Sequence, residues 1–149
     1  MLLHEKYTSD VLQKFNMSDC RSATTPLPPA SKLSSSDSLT TEEEKQAMDL
    51  LPYRSAIGSL MYLAVCTRPD IASAISNLGR FNANPGQAHK EGVLHVMRYL
   101  KGTLAGGIRY RKGACTDIWG FCDASHLTCP DTGRARAGFA IVSAGGVVS

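Results

Sequence analysis

No stretch of this sequence is apolar for long enough to span a bilayer. The longest run, Leu60 to Cys66, holds seven residues, where a crossing helix needs about 20. The opening MLLHEKY has neither the basic start nor the apolar run of a secretory signal. Cysteine is scarce, and the five present include no Cys-x-x-Cys pair. An odd count without paired spacing excludes a disulfide framework and reads as reduced thiols. No phosphate-binding glycine loop of the P-loop or dinucleotide type occurs, and no internal repeat. Nor are two aspartates ever adjacent. Together these absences set aside membrane-spanning, secreted, solenoid and nucleotide-loop classes, and leave a soluble intracellular protein of the cytoplasm or nucleus as the expectation.

What is present suits a small folded unit. Hydrophobic residues make up 43% of the 149, enough for one ordinary domain or two small ones. The net charge of +3 is mild, and its distribution says more than its size. Acids cluster at Glu42, Glu43 and Glu44, whereas Arg98, Lys101, Arg109, Arg111, Lys112, Arg134 and Arg136 make the C-terminal half basic. A nucleic-acid partner would bind there.

Residues 5–17 predict a helix with Tyr7, Val11, Leu12 and Phe15 on its apolar face, which needs a partner surface. Residues 18–41 are rich in Ser, Thr and Pro and predict a linker, followed by a short acidic helix over Glu42 to Leu50. Three apolar stripes at helical spacing come next: Ala56, Ile57, Leu60, Met61, Ala64 and Val65; Ile71, Ala74, Ile75 and Leu78; Val93, Val96, Met97 and Leu100. Thr67-Arg68-Pro69-Asp70 marks the second of these helices with a hydroxyl cap and a first-turn proline. Asn84-Pro85 marks the third, and Gly102 is placed to end it. After Thr103 the period becomes alternating, and strands are expected over residues 107–111, 118–123 and 135–143, with a hairpin turn at Ala144-Gly145-Gly146 into a last strand. The fold class expected is α+β: a three-helix unit, then an antiparallel sheet that stops as its last strand begins.

The run YRSAIGSLMYLAVCTRPDIASAISNLGRF, followed by HVMRYLKGT and then GFCDAS, resembles the Pol polyprotein of copia-type LTR retrotransposons. The likeness spans Tyr53 to Ser149, and the lead-in from Glu5-Lys6-Tyr7 to Pro26-Leu27 is similar to the family's segment just after the polymerase palm. The resemblance implies a division into four parts: residues 1–17, a helix trailing a palm; 18–51, a linker with the acidic helix; 52–103, thumb or connection helices of a reverse transcriptase; and 104–149, the first strands of a ribonuclease H-like domain. It implies a fragment of an enzyme that copies RNA into DNA and degrades the RNA strand of the hybrid.

In such an enzyme Asp123, in GFCDAS, takes the position of the first ribonuclease H carboxylate, which with further acids would hold Mg²⁺. The chemistry needs clustered acids because two metal ions about 4 Å apart clamp the attacking and leaving oxygens. Those further acids have no match in the sequence, since Asp117 and Asp131 fall at other positions, and the palm's paired aspartates are absent. The fragment is therefore expected to be inactive by itself and to bind no Mg²⁺ tightly. On the third helix Lys90 and Lys101 lie at the margin of the apolar arc, with Glu91, His95 and Arg98 on the opposite face. Lys90, Arg98 and Lys101 are the candidates to meet the phosphates of an RNA/DNA hybrid or primer-template duplex; a solvated helix face is the plain alternative. Cys115, Cys122, His126 and Cys129 have spacings that argue against zinc. A non-catalytic nucleic-acid-binding or interaction remnant is the competing reading of the whole.

Overall fold

The computed structural model describes residues 1–28, 31, 33–38, 51–125 and 129–148; the expected acidic helix and His126 lie outside the described residues. Within them are four α-helices, α1 (Glu5–Lys14), α2 (Tyr53–Cys66), α3 (Ala72–Gly79) and α4 (Gln87–Gly102), and three strands, β1 (Trp119–Ser125), β2 (Arg136–Ser143) and β3 (Gly146–Val147). The class is α+β. None of the described helices is long and apolar enough to cross a membrane. The chain forms two compact units: His4–Gly106 holds the helices, and Gly107–Ser149 with Met1–Leu3 holds the sheet.

The helical unit is organised by its stripes. Leu60, Ile71, Ile75, Leu78, Val93, Val96, Met97 and Leu100 are fully buried in one cluster. Val11, Leu12 and Phe15 join it, so α1 finds within this chain the partner surface that its amphipathic face requires. On α2 the stripe is rotated from the one expected. Tyr53, Ala56, Ile57, Leu60, Leu63 and Ala64 are buried, while Met61 is 40% and Val65 78% exposed. At about 100° per residue, the buried six span roughly 60° to either side of Leu60, whereas Met61 and Val65 lie at about 100° and 140°. The buried Tyr53 hydroxyl donates to the Leu78 carbonyl at 2.9 Å, and burial pushes its pKa well above the usual phenol value.

Helix starts depart from the expected caps. A 3-10 turn, Pro69–Ile71, precedes α3, and neither has a side-chain cap; the Thr67 hydroxyl instead meets His4 Nδ1 at 3.1 Å. At α4 the cap position falls on Gly86, two residues beyond Asn84. The Gly86 N–H donates to His89 Nδ1 at 2.8 Å, so the side chain at the third helical position reaches back to the cap residue's own N–H, the half of a capping box that a glycine cap still permits. His89 is fully buried and stacks on Phe81, ring centroids 3.8 Å apart.

In the sheet unit the order is β1-β2-β3, antiparallel throughout. Ala144 (φ 51°) and Gly145 (φ 77°) turn β2 into β3, the two successive positive φ values of a tight hairpin. The strand expected at residues 107–111 does not form: Ile108 alone bridges, to Leu2. Its neighbours brace the hairpin instead, with Arg111 N–H donating to the Ala144 carbonyl at 2.9 Å and the Tyr110 hydroxyl to the Val147 carbonyl at 2.7 Å. Trp119, Phe121 and Phe139 are all more than 60% exposed.

Candidate nucleic-acid interface

Asp123 sits in β1 opposite Gly138, its side chain exposed. Alternation along the strand puts it on the same face as Trp119 and Phe121. Among the described residues no group of three or more His, Cys, Asp or Glu side chains could hold a metal ion. The residues described therefore do not make a Mg²⁺ site. Asp117 precedes β1, and its N–H donates to the Cys115 sulfur at 3.4 Å. Cys115 and Cys122 are exposed while Cys129 is buried, and the Thr132 hydroxyl donates to the Cys129 sulfur at 3.1 Å.

The basic candidates all lie on α4, where Arg98 is exposed and Lys90 and Lys101 are half-buried. The sequence did not disclose what lies beside them. The Ser/Thr/Pro-rich segment runs along α4 as a strap, antiparallel to it: Ser22 and Ala23 meet the helix at Gly102, Leu27 reaches Gly92, and Asp37 reaches Gly86. A Cβ at Gly86 would overlap the Asp37 carbonyl, so the absence of a side chain there permits the close approach. Leu27 and Leu33 pack against the core. Ala23 N–H donates to the Arg98 carbonyl at 3.2 Å, and His95 Nε2 donates to the Thr25 carbonyl at 3.0 Å. Two open grooves flank this contact, both lined by His95 and Arg98. Glu91 lines one of them and accepts from the Gln87 amide at 3.0 Å.

Arg68 is the polar residue that stripe analysis passes over. Its side chain is 3% exposed and makes a bidentate pair with Asp70, at 3.0 Å from Nε and 2.8 Å from Nη2. Its Nη1 donates to the Thr103 carbonyl at 2.9 Å, and the Tyr99 hydroxyl donates to Asp70 at 2.8 Å. Burial works to raise the Asp70 pKa, but the bonds from Arg68 and Tyr99 outweigh it and hold the carboxyl below its usual range. The Tyr99 phenol is raised, by burial first and then by its bond to Asp70. The network ties the Pro69–Ile71 turn to the end of α4. The only sequence signal for it is an arginine wedged between a helix end and a proline.

No protein-family model matches the chain, and no solved structure does. Among known proteins, it is similar to the retrovirus-related Pol polyprotein from transposon TNT 1-94 of Nicotiana tabacum, 41% identical over 148 residues that cover 99% of this chain and 11% of that one. It is 37% identical over 125 residues to the retrovirus-related Pol polyprotein from transposon RE1 of Arabidopsis thaliana, covering 83% of this chain and 8% of the other. An uncharacterized mitochondrial protein of Arabidopsis thaliana is 33% identical over 138 residues, 93% of this chain and 54% of that protein. The chain thus spans about a tenth of the two polyproteins and about half of the third relative.

Proposed function

This chain belongs to the Pol polyproteins of copia-type retrotransposons, and from that premise we propose that it supplies the closing helices of a reverse transcriptase and the opening strands of a ribonuclease H. The observation that carries this reading is the placement of Asp123. In a chain of this family, an exposed carboxylate stands on the first strand of an antiparallel sheet that follows a helical unit. The helical unit then lies against the backbone of a primer-template duplex or RNA/DNA hybrid, and the sheet carries one acid of a hydrolytic set.

One carboxylate does not perform the hydrolysis. A Mg²⁺ ion dehydrates reluctantly and needs several fixed oxygen ligands, which the described residues do not provide. The chain by itself is accordingly expected to show neither cleavage nor polymerisation. The test uses a Pol polyprotein that includes this segment. There, Asp123→Asn is expected to abolish degradation of the RNA strand while leaving DNA synthesis in place, and a variant that still degrades the hybrid at the parent rate would overturn the assignment.

A second reading, a non-catalytic module that binds nucleic acid, is favoured by the lack of a ligating cluster among the described residues and by the exposed arginine on α4. Unaltered cleavage in Asp123→Asn, together with salt-dependent binding of the hybrid by the chain, would select it.

A further inference from the structure

The groove at the N-terminal end of the strap is lined by Arg21, Arg98 and His95, together with Met17, Cys20, Ser22 and Ala23. Its volume is ≈ 600 Å³, and no acidic side chain lines it. His95 and Arg98 are three residues apart on α4 and so share a face. Arg21 comes from a different part of the chain and is brought there by the strap. The bond from Ala23 N–H to the Arg98 carbonyl fixes the register two residues beyond Arg21, and the bond from His95 to Thr25 fixes it again two residues further on. Among the described residues, neither Arg21 nor Arg98 has an ion-pair partner.

Two exposed guanidiniums at one groove, with no acidic side chain in its lining, form an arrangement suited to phosphate oxygens, while the His95 N–H donates to the Thr25 carbonyl and holds the strap in place. Arginine's planar fork binds phosphate bidentately, and such charge-assisted bonds are about twice as strong as neutral ones. The geometry points to a phosphate-binding groove formed jointly by the strap and α4, with Arg21 and Arg98 as its ligands. Resting on the function proposed above, its occupant is a backbone phosphate of a nucleic-acid strand. The strap is then part of the binding surface, and Arg98, with Arg21, replaces Lys90 and Lys101 as the principal contact.

The test titrates the isotope-labelled full chain with inorganic phosphate and, separately, with an RNA/DNA hybrid of about 12 base pairs at low salt, reading backbone amide resonances. Both ligands are expected to shift the signals of Ser22, Ala23, His95 and Arg98. Arg21→Gln and Arg98→Gln should each weaken the hybrid about tenfold and lower the salt slope of binding by about one. Both side chains are exposed, and the dispersion of the spectrum verifies that each variant folds. If Arg21→Gln does not fold, Arg21→Lys keeps the charge, loses the fork, and should weaken binding about threefold. Undiminished hybrid affinity in both glutamine variants, with loss in Lys90→Gln and Lys101→Gln, would overturn the groove and leave the nucleic-acid reading standing. Shifts with phosphate but no binding of the hybrid would keep the groove as a phosphate site and overturn the nucleic-acid reading. Resonances unmoved by either ligand would overturn both.

Discussion

Leu60 lies at the centre of the buried arc of α2 and is fully enclosed, so truncating it leaves a cavity that the packed helices fill only in part. Leu60→Ala is expected to cost about 2–5 kcal/mol in urea unfolding, whereas Val65→Ala, on the exposed side of the same helix, should stay within about 0.5 kcal/mol. Equal costs would place the arc wrongly. Asp70 makes a different kind of contribution. Because its carboxyl is held below the usual range, its share of stability is complete above the ordinary carboxylate pKa of about 3.9 and is lost as pH falls through the lower folded value. Asp70→Asn should cost about 1–2 kcal/mol at pH 7. That is less than for a fully buried pair, because the Asp70 side chain is 39% exposed. The gap between the two proteins should narrow below a pH of about 4, and a gap that is constant from pH 7 to 3 would count against the ion pair.

At the scale of elements, the glycines of the helical unit divide by what surrounds them. Gly86→Ala drives a Cβ into the Asp37 backbone and is expected to cost about 1–3 kcal/mol by forcing the strap off the helix end. Gly58, in α2, has open space where a Cβ would stand, with no neighbouring atom within 4 Å, so Gly58→Ala should add up to about 1 kcal/mol through helix propensity alone. Thermal unfolding of the two variants checks both signs. The three core stripes were legible in the sequence because period and burial coincide there. The error at Met61 and Val65 arose because a stripe of apolar residues does not disclose where its buried centre lies, and Leu63 marks the true margin. The strap was not legible. Ser, Thr and Pro describe how a segment behaves when nothing packs against it, and Leu27, Leu33 and the facing glycines carry the packing. Arg68 and His89 escaped for a related reason, since a buried polar side chain is fixed by distant partners rather than by its neighbours in sequence. At the sheet, alternation located β1 and β2, but the segment around Ile108 shows that alternating residues form a strand only where a partner runs alongside.

Over the whole molecule, the two units differ in how their apolar groups are enclosed. The helical unit buries a continuous cluster, whereas Trp119, Phe121 and Phe139 of the sheet unit remain exposed. A three-stranded sheet gains its stability from a covered face, so amides of β1 and β2 should exchange with solvent faster than those of α2 and α4, as hydrogen exchange read by mass spectrometry would show. Slower exchange in the strands would contradict this ranking. The strap has a consequence of another sort. A segment whose composition invites cutting between two parts of a polyprotein is here laced to α4 and anchored by leucines, and α1 on its near side shares a core with α2, α3 and α4 on its far side. Severing the strap by a protease would therefore break the chain without separating the pieces: the two fragments would remain a single noncovalent body, able to reassemble from their parts.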